Sequence, residues 1–168
     1  MKPRHFLVFA SKVTAAHVIT YLVAGAIAYP LFTNEFYVGP NPIFKLFMRT
    51  EVEPELWGHV ATWFLPAQFL EGLLIAAALY PFFDTLMIWS FRKRFLSISG
   101  LYLVLGFWAA TVAAPGTIEG LVYLRPVFTP LVHLKVQPEI ILQGLALGAI
   151  VALWMGPPRD WPIDSLSH

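Results

Sequence analysis

Glu71 stands about halfway along an apolar stretch that opens at Glu53-Pro54-Glu55 and runs to about Pro81. An ionisable group at that depth is costly unless it faces other helices, is protonated or finds a partner. Gln68 lies three residues earlier on the same helical face, and Gly72, beside Glu71, has no side chain to keep a neighbouring backbone away. Pro66 removes a backbone donor one turn before the pair, which opens a carbonyl to a ligand, an ion or a water. Two readings follow. Glu71 and Gln68 carry a proton or cation, or read a polar head group inside an apolar pocket; alternatively Glu71 is a neutral acid hydrogen-bonded to another helix.

A second group of candidates belongs to the opposite ends of the apolar stretches. Glu139 and Gln143 are four residues apart, and Gly144 and Gly148 form a small-xxx-small spacing suited to close helix packing. Glu139 follows Gln137-Pro138, which reads as a helix start, so the helix dipole would favour its carboxylate. Glu119 follows the Pro115-Gly116 breaker and is expected on the same side as His59 and His133. Two His and two carboxylates could hold a metal ion, although no His-x-x-Glu or His-x-x-x-His pattern puts two ligands on one helix. A bis-His haem fits less well, because His17 lies well inside the first apolar stretch and His59 near the start of the second. His17, with Thr14 and Thr20 three residues to either side, instead marks a buried helix face. Asp84 is expected to pair with the Arg92-Lys93-Arg94 cluster. Hydrolase, phosphate-loop and dinucleotide motifs do not occur. The aromatic content of 15% suits lipid-facing surface and pigment or quinone pockets equally, so no cofactor is assigned.

What positions these residues follows from composition. The chain is 58% hydrophobic and 12% charged, half the share usual in soluble domains, with a mean hydropathy of +0.67. Its solvent is therefore expected to be the lipid bilayer. A formal charge of +1 offers no polybasic face to nucleic acid, and the absence of Cys removes disulfides, thiolate metal sites and thiol nucleophiles. A span needs about 20 apolar residues, and four stretches qualify, at approximately 8–32, 55–82, 95–114 and 138–156. Tyr29-Pro30, Pro115-Gly116 and Gly156-Pro157-Pro158 are read as stops. Stretches this long and continuous are helices and not barrel strands, so the expected fold is an all-α integral membrane four-helix bundle.

Seven of the eleven cations, Lys2, Arg4, Lys12, Arg92, Lys93, Arg94 and Arg159, fall on the side that holds both termini; Lys45, Arg49, Arg125 and Lys135 fall on the other. That imbalance puts both termini in the cytoplasm and the protein in the cell inner membrane. Trp57, Trp89, Trp154 and Trp161 lie close to expected span ends, as interfacial anchors do. Lys2 and Arg4 ahead of an apolar stretch and Ala26-Ile27-Ala28 imitate a secretory signal; the reading adopted is an uncleaved anchor. The outer link from Thr33 to Val52 contains Phe44, Leu46, Phe47 and Met48 between two cations, which predicts a short interfacial helix. The link from Pro115 to Val136 is too apolar for a solvated loop and is expected to fold back on the bundle, partly re-entrant.

This layout of four helices, a long outer loop, a short basic turn and a last helix reading Glu139-Ile-Ile-Leu-Gln143-Gly144-Leu-Ala-Leu-Gly148 resembles small bacterial four-helix membrane proteins of unknown function. The resemblance implies a bundle and no activity. With no catalytic motif in a short chain, the expected role is a non-enzymatic accessory or scaffolding subunit among other membrane subunits. The alternative is a small-molecule or proton-coupled carrier using Glu71, and the third is a redox subunit or enzyme using the His59, His133, Glu119 and Glu139 group.

Overall fold

The structure, a computed structural model, describes residues 3–105, 114–117, 124 and 126–157. All regular elements among them are helical: α1 (Pro3–Ala28), α2 (Asn34–Val38), α3 (Pro54–Leu79), α4 (Phe83–Ile88), α5 (Phe91–Leu103) and α6 (Pro130–Trp154). Three continuous helical stretches, His5–Val38, Pro54–Ile88 and Pro130–Trp154, are long and apolar enough to cross a membrane. The fourth expected span corresponds to α5, whose continuation at 106–113 lies outside the described residues.

The last helix ends at Trp154, just ahead of Gly156-Pro157-Pro158, and Pro115-Gly116 forms a turn, both as expected. Tyr29-Pro30 does not close the first helix. A single π-helical turn, Tyr29–Thr33, carries it on into α2. Pro30 has no N–H to give and its ring crowds the preceding turn; the wider turn relieves that crowding without ending the helix. Pro66 sits inside α3 without breaking it, and a 3-10 turn at Tyr80–Phe82 joins α3 to α4. The fourth span opens at Pro130 after Thr129, two turns before Gln137-Pro138-Glu139, and Pro138 is interior. The re-entrant link is thereby shortened: its last residues are helix, and 118–123 and 125 lie outside the described residues. Helix α5 starts at Phe91, ahead of the expected Phe95, because the Ser90 side chain accepts from the Lys93 amide as a cap. The short helix expected around Lys45 and its apolar neighbours is a 3-10 turn, Ile43–Leu46.

Helix α1 is the centre of the assembly, packing on α3 along one side and α6 along another, while α5 packs on α6. Its buried positions, Val13, Ala16, His17, Thr20, Ala24 and Ala28, recur every three or four residues. Most are small, so the axes come close. Gly72 of α3 is the sharpest case: a Cβ there would lie 2.8 Å from the Thr14 Cα. Gly144 and Gly148 do the same between α6 and α5, meeting Tyr102 with Leu103 and Ser99 respectively. Phe9, Val13, Ala16, Ala76, Ile98 and Leu147 form the core where these faces meet.

Arg94 closes the end of the bundle that carries residues 83–94 and the tail of α6. It is fully buried. Its guanidinium donates to the carbonyls of Leu86 at 2.6 Å, Met87 at 3.0 Å, Ala152 at 3.3 Å and Gly156. The expected pairing of the basic cluster with Asp84 is thus replaced, for Arg94, by caps on the carbonyls that α4 and α6 leave free at their C-terminal ends. At the opposite end Lys135 pairs with Glu35, and Phe36, Phe44, Phe128 and Val132 form a second small core.

Candidate functional site

The mid-span polar group is built from α1 and α3. His17 is 0% exposed, and its Nε2 lies 3.0 Å from Gln68 Oε1 and 3.6 Å from Glu71 Oε2. Gln68 and Glu71 share a face because they are three residues apart, and the contact that Gly72 allows brings that face onto His17. A ring nitrogen facing an amide oxygen and a carboxylate is the donor, so the proton belongs on Nε2 and Nδ1 is left as an acceptor. Nδ1 is buried without a partner, as are Thr14 Oγ1 one turn before it and Gln143 Nε2 on α6.

Glu71 is not enclosed. Its side chain is 53% exposed, at the boundary between the face of α3 packed on α1 and the open face carrying Trp63, Leu70 and Leu74. Only 17% of the most apolar stretch of α3 is buried, against 44% for α1 and 33% for α6, so α3 is the most peripheral of these three. The carboxylate therefore has one neighbour inside the protein and one side open.

Glu139 is found elsewhere than expected. It lies ten residues into α6 and not in its first turn, so the dipole argument made for it does not apply. Its Oε1 rests 3.7 Å from where a Gly25 Cβ would stand. Tyr21, Tyr29, Tyr37, Glu51, Trp57 and Glu139 line a cavity of about 260 Å³.

The proposed His and Glu group is not assembled by the described residues. His133 is buried and used structurally: its Nδ1 accepts from the Gly116 amide at 3.0 Å. That contact holds the Pro115-Gly116 turn, where Gly116 has φ +89° and a Cβ would lie 2.6 Å from Val136 Cγ2. His59 is exposed on the early turns of α3. Glu119 lies outside the described residues. Among the described residues no three His, Asp or Glu side chains come together as metal ligands would. The Gly116 amide occupies Nδ1 of His133, so that nitrogen does not serve as a ligand.

Sequence reasoning found Glu71, Gln68 and the buried face of α1, but it treated His17 as packing and as a haem candidate and never as the partner of Glu71. Position alone could have paired them, since both lie near the middle of adjacent, antiparallel spans. No family model, curated protein or solved structure matches this chain.

Proposed function

We propose that the chain is a non-enzymatic subunit of a larger complex in a bacterial cytoplasmic membrane, docked to a partner helix through the α3 face that carries Glu71. The reading takes α5 with the residues after it as a fourth span and puts both termini in the cytoplasm, as the balance of cations favours. One observation carries the docking: at mid-span the Glu71 carboxylate is half-exposed on the side away from His17. Apolar residues on the same face need nothing but lipid. A carboxylate with an open side does, because hydrocarbon satisfies neither its charge nor its lone pairs. A donor on a neighbouring transmembrane helix would complete a site that His17 and Gln68 only half fill.

The test is purification of the full chain from its native membrane in mild detergent, alongside Glu71→Leu. Stoichiometric membrane subunits retained by the native chain and lost from Glu71→Leu support the reading. A chain that is alone in both preparations overturns it.

A second reading rests on the His17 and Glu71 pair itself. An imidazole and a carboxylate 3.6 Å apart at mid-span can share one proton and pass it to the open side. Proton uptake into vesicles containing the purified chain, abolished by His17→Ala, would favour this carrier reading over the subunit.

A further inference from the structure

Two hollows meet at the end of the protein that carries residues 39–57. The smaller, about 260 Å³, lies between α1, the start of α3 and Glu139 of α6. The larger, about 780 Å³, is an open hollow lined by residues 45–49 and the start of α3. Tyr21, Tyr37 and Trp57 line both, so three aromatic side chains border the two hollows in common.

The hollows differ in charge. The smaller has two carboxylates, Glu51 and Glu139, and no Lys or Arg among its described lining. The larger has Lys45 and Arg49 with one carboxylate, Glu53. The Tyr29 hydroxyl stands 3.4 Å from both oxygens of Glu51, and its ring meets that of Tyr37 edge-on at 5.3 Å, which keeps the acid against the aromatic wall. Carboxylates beside the faces of Tyr and Trp suit an organic ammonium. Lysine and arginine together suit phosphate.

The smaller hollow also extends along the helices. Trp57 and Phe64 both line it and are two turns apart on α3, about 10 Å of axial rise. Leu22 and Ala26 of α1 continue the apolar part of the lining. A polar head at the Trp57 level therefore has an apolar track below it.

We propose that the two adjoining hollows together bind an ammonium-and-phosphate zwitterion of the phosphoethanolamine type. The ammonium is held by Glu51, Glu139 and the rings of Tyr21, Tyr37 and Trp57, and the phosphate by Lys45 and Arg49. Opposite charges at the two ends reject a ligand with phosphate alone, because it leaves Glu51 and Glu139 facing an empty or anionic space. This site is separate from the Glu71 face and does not depend on it.

The test is native mass spectrometry of the delipidated full chain in detergent, titrated with dioleoylphosphatidylethanolamine or with dioleoylphosphatidylglycerol, which keeps the phosphate and lacks the amine. The expected result is one phosphatidylethanolamine per chain, bound at least about tenfold more tightly than phosphatidylglycerol, as the loss of one charge-assisted contact requires. Glu51→Gln, an exposed substitution outside the helices, is expected to erase that preference. Lys45→Ala with Arg49→Ala is expected to weaken both lipids. O-phosphoethanolamine that displaces the lipid at matched concentration identifies a soluble zwitterion as ligand; failure to displace it identifies the lipid. Equal binding of the two lipids, or an unchanged preference in Glu51→Gln, overturns the assignment.

Discussion

His17 and Glu71 stabilise each other in a setting where neither is comfortable alone. The imidazole is sealed between helices and the carboxylate has one open side, so each removes part of the other's desolvation cost. Replacing one partner by an apolar residue is expected to cost more than replacing both. His17→Leu and Glu71→Leu singly should each lower the thermal midpoint in detergent, and the double variant should recover part of the loss, with a coupling of about 0.5–3 kcal/mol. A strictly additive double variant would show that the 3.6 Å approach carries no energy. Arg94 gives the second prediction at this scale. Lysine has too few donors and no planar fork for four carbonyls on two sides, so Arg94→Lys should destabilise almost as much as Arg94→Ala. Loss of this buried guanidinium leaves four carbonyls without their donor and is expected to cost about 3 kcal/mol or more, read by denaturation in mixed detergent. Glu71 was legible in the sequence because charge inside an apolar run is rare. Arg94 was not, since beside Arg92 and Lys93 it reads as one member of a basic cluster that pairs with Asp84, and only the caps needed by two distant helix ends turn it inward.

At the scale of elements, the chain is held by small residues. Gly72 and Gly148 each stand where a methyl group would meet a neighbouring backbone, Thr14 Cα at 2.8 Å and Ser99 N at 2.9 Å. Gly148→Ala should therefore spread α5 from α6, and Gly72→Ala should spread α3 from α1, each at about 1–3 kcal/mol. The two should differ in a second readout. Gly72→Ala lifts Gln68 and Glu71 away from His17 and is expected to alter the His17 ring signals in NMR, whereas Gly148→Ala leaves them in place. The small-residue spacing was visible in the sequence, and the close packing followed from it. The helix ends were not visible at Pro30 and Pro138, because a proline's power to stop a helix depends on what else can satisfy the backbone. In water the freed carbonyl has an easy alternative outside the helix; within packed or lipid-facing segments the helix continues, through a π-helical turn in the case of Pro30. The later start expected for the last helix placed Glu139 in a first turn, whereas it lies in the helix interior.

For the whole molecule, the all-helical architecture was readable from hydrophobicity alone, but the packing order was not. Four apolar segments of similar character can be arranged in several ways, and only the contacts of α1 with both α3 and α6 show which helix is central and which is peripheral. The proposed orientation makes a direct prediction. In a chain without cysteine, Asn41→Cys should react with an impermeant maleimide from outside intact cells, and Ser90→Cys only after permeabilisation. The peripheral place of α3 leads to the central claim, that another transmembrane helix covers Glu71. It is tested most directly by attaching a photo-reactive group to Leu74→Cys, one turn beyond Glu71 on the open face, and illuminating native membranes, with Ile19→Cys on the lipid side of α1 as control. The account predicts a discrete protein adduct from position 74 that disappears in Glu71→Leu, and none from position 19. Lipid adducts alone from both positions would contradict it.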